Sequence, residues 1–436
     1  MFPSPKDHIF LRKISASNFA PHLDKPQDSG YTVSITSCSG RIYGKRYRMK
    51  YRNLGRTGMT VSEISLGCEH MQGKNYELIK TVIDAALDAG INFLDVFMSE
   101  PNVRSNIGKA LRGRRENVII QGHIGSCWVD GQYKVSRDIG ECVTYFEDLL
   151  ERLQTDYIDV GMLHFVDKET DWDALEQSDM MRYALSLKEK GIIRAVGMSS
   201  HNPVTAKKAI ESGLIDVLMF SLNPAYDLVP KDRDMTEIFS EVFAGTKQNF
   251  TELTLEPARA ALYRACEEHG VSITVMKSLA MGTLLSSERS PLGVALTEAQ
   301  CISYALSRPA VAAVMVGMQR ISDVESAVAY WDLSEEERDH SGVLASLGMF
   351  RADVEGRCMY CNHCLPCPAR IDIAAVNKYL DLVELDGRPA DSVNQHYASL
   401  EHTAADCLQC GACETRCPFE VRVTERMQRA VQTFGK

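Results

Sequence analysis

The chain has 436 residues, 24% of them charged, and a formal net charge of −10. That length can bury a large core and a second, smaller one, and the acidic balance argues against nucleic acid as a main partner. No apolar run approaches the ~18–20 residues of a membrane span, and the N-terminus lacks the apolar core of a signal peptide, so the expected setting is cytoplasmic, with no membrane partner.

Residues 1–48 are basic and rich in Ser, Gly and Pro, without sustained periodicity. They are expected to form a poorly ordered extension, with the fold beginning at Met49. From there, short apolar runs at 63–67, 92–94, 118–122, 157–163, 193–198, 217–220, 272–276 and 312–316 read as strands. Helical patterns lie between and after them, at 76–89, 107–111, 138–153, 172–189, 203–212, 257–269, 297–306 and 323–330. In the first of these, Leu78, Ile79, Val82, Ile83, Ala86 and Leu87 recur at helix spacing, and Gly90 follows as a stop. Eight strand–helix units over about 280 residues are the pattern of a (β/α)8 TIM barrel, an α/β fold. A doubly wound sheet would open with a glycine-rich turn that is missing here. The segment 223–253 is too long for a simple connection and is expected over the barrel mouth or at an interface. The barrel should run from 49 to 333 and a bridging helix from 334 to 350. A small α-helical domain should follow over 351–436, with helices at 371–385 and 392–402.

Eight of the fourteen cysteines fall in two quartets in this last domain. The first is Cys358-Met-Tyr-Cys361-Asn-His-Cys364-Leu-Pro-Cys367-Pro368, and the second is Cys407-Leu-Gln-Cys410-Gly-Ala-Cys413-Glu-Thr-Arg-Cys417-Pro418. The second has the bacterial ferredoxin spacing C-x2-C-x2-C-x3-C-P; the first is one residue tighter before its last cysteine. In such runs three thiolates hold one cubane and the fourth reaches the other cluster. One 4Fe–4S cluster is therefore assigned to Cys358, Cys361, Cys364 and Cys417, and a second to Cys407, Cys410, Cys413 and Cys367. Zinc ribbons use paired C-x2-C units, not runs of four. The remaining cysteines are scattered singly, as reduced intracellular thiols are.

Chemistry in such barrels collects at the C-terminal ends of the strands. There the sequence places Glu69 and His70, Asp95, His123, His164, the run Ser199-Ser200-His201-Asn202, Asn223 and Tyr226, Lys277, and Gly317-Met318-Gln319. One such histidine alone would be a hydrogen-bonded filler; several converging with an aspartate mark a site.

These residues carry a family resemblance. Asn53-Leu-Gly-Arg-Thr-Gly, Gly90-Ile-Asn-Phe-Leu-Asp95, Asp156-Tyr-Ile-Asp159 leading to Leu163-His164, Gly191-Ile-Ile-Arg-Ala-Val-Gly197-Met-Ser199 and Val275-Met-Lys277 together resemble an aldo/keto reductase. The whole chain resembles the branch of that superfamily fused to a C-terminal ferredoxin-like dicluster domain. The resemblance implies an Asp, Tyr, Lys and His tetrad. Asp95 matches the aspartate and His164 the histidine. No tyrosine stands about four residues after Asp95, and His123 takes the place of the lysine. Ordinary carbonyl reduction is therefore not inherited with the fold. His123 and His164 are expected to handle protons with Asp95 in support and no tyrosine as general acid, and Glu100 is a second candidate acid.

The resemblance also implies a nicotinamide site. Ser199 and Ser200 stand where the carboxamide is held, and Lys277, Gly317 and Gln319 where the phosphates bind. Clusters pass single electrons and nicotinamide passes hydride, so coupling them calls for a flavin or for radical chemistry; NADP(H) and a flavin are both open. The leading expectation is an iron–sulfur oxidoreductase acting on a small carbonyl-type substrate, with a ferredoxin-like donor as partner. The alternatives are an NADPH-dependent reductase with structural clusters, a metal-dependent hydrolase or lyase using Asp95, His123, His164 and His201, and a non-catalytic electron-transfer subunit. A first strand without paired H-x-H ligands argues against the metal site, and the polar rim against an inert scaffold.

Overall fold

The computed structural model describes residues 36–42, 45–230, 253–290, 292–340, 343, 358, 362–386, 391–417 and 420–436. Parallel strands β1 (Ile64–Gly67), β2 (Phe93–Val96), β3 (Ile119–Ile124), β4 (Ile158–Leu163), β5 (Ile193–Ser200), β6 (Val217–Ser221), β7 (Ser272–Met276) and β8 (Val311–Gly317) close into a barrel in chain order, with β8 against β1. Helices α1 (Tyr76–Asp88), α2 (Pro101–Ala110), α3 (Ile139–Leu153), α4 (Asp179–Glu189), α5 (Pro203–Glu211), α6 (Pro257–Glu268), α7 (Glu298–Leu306) and α8 (Ile321–Val328) follow the respective strands. Helices cover the outer face and side chains fill the lumen, so the strands are apolar on both faces; every residue of β4 is buried.

The helix ends follow from capping. Asn75 accepts the Leu78 N–H and opens α1, which buries Ile79, Val82, Ile83 and Ala86. The expected helix at 107–111 is only the last part of α2. The helix starts at Pro101, where the Glu100 carboxylate accepts the N–H groups of Asn102 and Val103. Glu100 is thus a helix cap, not an acid of the site. The pattern at 172–189 divides into Glu169–Glu176 and α4, because Ser178 starts a new helix by accepting the Met181 N–H. In the 223–253 segment, Pro224–Asp227 forms one helical turn and Leu228–Pro230 pairs antiparallel with Leu253–Leu255. Residues 231–252 lie outside the described ones. Of the expected bridging helix, Glu335–Arg338 is described as helix.

The expected boundary at 48/49 requires correction. Thr36–Ile42 pairs antiparallel with Lys45–Asn53, which in turn pairs with Thr60–Ser62. Ile42, Tyr47 and Met49 are buried while Arg48 projects outward, so the basic composition concealed a strand alternation. Gly40 lies directly on the end of α1, where a Cβ would stand 2.2 Å from the Ala89 carbonyl carbon. Residues 1–35 lie outside the described ones.

In the C-terminal domain, α9 (Ile373–Asp386), α10 (Asp391–Ala398) and α11 (Val423–Phe434) surround a small core of Ile371, Val376, Leu380, Tyr397, Val421 and Met427, joined by Cys364 and Cys413. Barrel and C-terminal domain belong to one compact unit. Among the described residues, no helix is long and apolar enough to cross a membrane.

A chain started at Met49 loses the Thr36–Ile42 strand, uncovering Met49 and the end of α1. Its melting temperature should fall below that of a chain started at Ser34, by roughly 2–4 °C for each kcal/mol lost. Equal melting temperatures would show that the added strand contributes nothing.

Candidate functional site

Strand register assembles the first part of the site. Asp95 on β2 pairs with Gln121 on β3, and Gln121 pairs with Val160 on β4. His123 lies two residues beyond Gln121 on the same face, and His164 is the first residue past β4. The Gln121 amide donates to Asp95 Oδ1 at 2.7 Å, and its oxygen accepts from Thr274 Oγ1 at 3.3 Å.

Above them, His123 Nε2 meets Asp95 Oδ1 at 2.9 Å, His123 Nδ1 meets His164 Nδ1 at 2.8 Å, and His164 Nε2 meets the Tyr133 hydroxyl. Asp95, His123, His164 and Tyr133 are all buried. One set of neutral tautomers satisfies every link: Tyr133 donates to His164, His164 to His123, and His123 to Asp95. Burial, with the neighbouring His123, Arg137 and His201, holds the His164 pKa well below the usual imidazole range. His164 therefore stays neutral and can pass a proton on. Phe97 walls this line, with its ring centroid 5.9 Å from His123, 6.1 Å from Tyr133 and 5.7 Å from His164.

Tyr133 is the residue that the sequence reading missed: no tyrosine closely follows Asp95 in the chain, but this one meets His164 from elsewhere. It stands on a hairpin, Ser126–Val129 against Gln132–Val135, inserted after β3. The signal was present as Asp130-Gly131 between two alternating runs, a dipeptide that fits a two-residue turn; both residues have positive φ, 51° and 78°.

A second polar line crosses the mouth. Asp167 Oδ2 meets His201 Nδ1 at 2.9 Å, and His201 Nε2 meets Lys277 Nζ at 2.7 Å. Burial would raise Asp167, but His201 beside it and its hydrogen bonds to His201 and Ser200 hold it below the ordinary carboxylate value. Burial and Lys277 lower His201 in spite of Asp167. Glu69 is pushed up to about 7, mainly by burial and further by Asp95, against the pull of Lys277. Phe165 and Lys277 hold φ of 54° and 60°, conformations that non-glycine residues adopt at a cost.

The groups expected to hold a nicotinamide are already engaged by protein. Ser199 Oγ accepts the Phe165 N–H at 2.8 Å, and Ser200 Oγ donates to Asp167 at 3.1 Å. Lys277 faces His201. A Cβ on Gly317 would stand 2.3 Å from the His70 ring, so that turn is already covered. The Gln319 N–H donates to Asp323 Oδ2 at 2.9 Å, placing a carboxylate at the expected phosphate position. As arranged, these residues do not fit the cofactor. The barrel metal reading meets a similar objection, since both ring nitrogens of His123 and of His164 are already hydrogen-bonded.

The C-terminal domain reaches this mouth. His363, between Cys361 and Cys364 in the first quartet, is 8% exposed and stacks on Phe165 at 4.1 Å between centroids. It lies edge-on to His201 at 5.0 Å and stacks 6.4 Å from His164. The Cys367 N–H donates to Gln132 Oε1 at 2.9 Å, from the same hairpin that carries Tyr133.

The cysteines show how they fit a cluster. Cys367, Cys407, Cys410 and Cys413 line one open cavity, with apolar walls from Ile371, Val423 and Met427. The Gln409 N–H donates to Cys407 Sγ at 3.4 Å. Arg416, next to Cys417, donates to the Cys364 and Pro366 carbonyls and so ties the end of the second quartet to the first. Cys361 lies outside the described residues.

Comparisons with known proteins agree with this architecture. Residues 63–300 match the aldo/keto reductase family, and residues 357–422 match a 4Fe-4S dicluster domain. The oxidoreductase YqkF of Bacillus subtilis is 28% identical over 306 residues, covering 66% of this chain and 94% of its own. The aldo-keto reductase YhdN of the same organism is 32% identical over 161 residues, covering 35% of this chain and 47% of its own. The solved holo form of an aldo-keto reductase from Bacillus halodurans superposes with a TM-score of 0.52 at 25% identity, covering 69% of this chain and 98% of that one. A closed barrel with a polar C-terminal rim, matched by the family over more than half its length, defines an oxidoreductase barrel. The chain belongs to the aldo/keto reductase family and carries a 4Fe–4S dicluster domain at its C-terminal end.

Glu69 yields a pH test. Its folded pKa of about 7 lies above the ordinary 4.5, so between these values the folded state holds more protons and stability falls as pH rises. Glu69→Gln removes that slope. The melting temperature of the variant relative to the native protein should therefore rise from about pH 5 to about pH 8; a constant difference would place Glu69 in water.

Proposed function

We propose that this protein is an iron–sulfur oxidoreductase that exchanges electrons between its C-terminal clusters and a small carbonyl-type substrate at the barrel mouth. Cys358, Cys361, Cys364 and Cys417 would hold one cluster, and Cys407, Cys410, Cys413 and Cys367 the other, each passing one electron at a time when bound. The four-cysteine cavity supports the second set, and the Arg416 clamp supports the crossing of Cys417 to the first. The observation that carries the reading is the insertion of His363 from the first quartet into the barrel rim, stacked on Phe165 and facing His164.

Reduction of a carbonyl to an alcohol takes up two electrons, delivered singly, and two protons, one at oxygen and one from solvent at carbon. The line from Asp95 to Tyr133 can deliver the proton at oxygen. With one more proton on it, every hydrogen bond reverses: Asp95 donates to His123, His123 to His164, and His164 to Tyr133. The Tyr133 O–H can then be donated to substrate, and in the opposite reaction the same bonds carry the proton inward. Asp95 holds the His123 ring in place, and Phe97 keeps water from the line. A ferredoxin-like donor is the proposed source of electrons. No step is assigned to a nicotinamide.

Anaerobically purified protein should contain about eight irons and eight sulfides, as two cubanes require. Electron flow from a reduced viologen dye to a panel of small aldehydes and ketones should fall roughly 10²- to 10⁴-fold in Tyr133→Phe and His164→Ala at unchanged iron content. Full activity in both variants would remove the proton line from the mechanism. Titration with NADPH should show no saturable binding, and tight binding would instead favour nicotinamide-dependent reduction with structural clusters.

A further inference from the structure

Gln132 and Tyr133 are consecutive residues of a paired strand, so their side chains leave opposite faces of the hairpin. One face carries the Tyr133 hydroxyl to His164, and on the other Gln132 Oε1 accepts the Cys367 N–H at 2.9 Å. The hairpin is pinned to the barrel. Ser99 Oγ donates to the Cys127 carbonyl at 2.6 Å, Ser126 Oγ donates to the Phe97 carbonyl at 2.5 Å, and Lys134 pairs with Glu141 at 2.8 Å. Cys367 in turn lines the cavity of Cys407, Cys410 and Cys413.

We propose that Gln132 is a positioning residue for the second cluster: it holds the Cys367 peptide so that its N–H points at the barrel and away from the ligand sulfurs, and thereby sets that cluster's reduction potential low. The proposal rests on the assignment of Cys367 to the second cluster. Hydrogen bonds to cluster sulfurs and nearby charge are main determinants of potential, because they stabilise the more negative, reduced state or oppose it. An N–H committed to an amide oxygen is withheld from the sulfurs. Removing that acceptor frees the donor to turn toward them, and the potential rises. Replacing the acceptor by a carboxylate keeps the peptide in place but adds a negative charge, and the potential falls. The same hairpin thus aligns an electron carrier on one face and a proton carrier on the other.

The test is an EPR-monitored redox titration of anaerobically prepared full-length holoprotein, in the native form and as Gln132→Leu and Gln132→Glu. Cys410→Ser identifies the second cluster's signal by its change. The expected result is an upward shift of the second cluster in Gln132→Leu, a downward shift in Gln132→Glu, and an unmoved first cluster. A residue that merely packs the domain would shift both variants in the same direction. Same-sign shifts, or none in loaded protein, overturn the proposal. A shift confined to the first cluster overturns it through its premise, by returning Cys367 to its own quartet. Should Gln132→Leu not load its clusters, Gln132→Met takes its place: the same upward shift of the second cluster is expected, and its absence in loaded protein overturns the proposal.

Discussion

His123 has two ring nitrogens, and the protein uses both. Asp95 takes one and His164 the other, at 2.9 and 2.8 Å, so the ring cannot rotate without breaking a buried hydrogen bond, and a change of tautomer has to reverse both bonds together. The pairing of β2 with β3 and of β3 with β4 is what brings the three residues together. With His164 Nδ1 on His123, only Nε2 of His164 remains to face outward, and the Tyr133 hydrogen bond follows. The rest of the mouth is organised around this line: Phe97 closes over it, Phe165 carries on from His164 in the chain, and His363 stacks upon Phe165.

The barrel has an aspartate and a histidine where the resemblance implies them, and a tyrosine hydroxyl meets that histidine by another route. Where the resemblance implies a lysine on β3, an imidazole stands, and the phenol arrives from a hairpin inserted after that strand. A lysine is a point charge that alters the acidity of a neighbour; an imidazole is a two-ended conductor of protons. The substitution replaces an electrostatic device with a connected line of hydrogen bonds. The second line, Asp167–His201–Lys277, occupies groups that the resemblance would reserve for a dinucleotide. The two changes are mutually consistent under the proposed function, in which the clusters and not a hydride carrier supply the electrons.

Much of this was legible in the sequence, and the remainder was hidden for physical reasons. The strands could be read because strands buried on both faces are nearly uninterrupted apolar runs, and the cysteine quartets because their spacing is rigid. Asp95, His123 and His164 were legible from their places at strand ends. Tyr133 was not, because a hairpin inserted between a strand and its helix breaks the strand–helix rhythm that guided the reading; its Asp-Gly turn was the overlooked mark. The strand at Thr36–Ile42 was obscured by the basic composition around it, although on its partner Arg48 points to solvent while Tyr47 and Met49 point inward. Glu100 looked like an acid because spacing alone cannot tell a helix cap from a site carboxylate. The contact of Gln132 with the Cys367 peptide spans 235 positions and leaves no local pattern at all.

The stacking of His363 on Phe165 bears on how this architecture can be taken apart. Barrel and dicluster module are each recognisable alone and correspond to separate families, which invites treating them as interchangeable parts. Yet the wall above His164 belongs to the cysteine-bearing segment, while the peptide of one cysteine is held by the barrel. Neither half keeps its complete binding surface after excision. Chimeras that swap one module for a homologue would have to transplant His363 together with Phe165, and Gln132 together with Cys367, as matched pairs. The seam between the two modules thus runs through the candidate site, with each side supplying part of it.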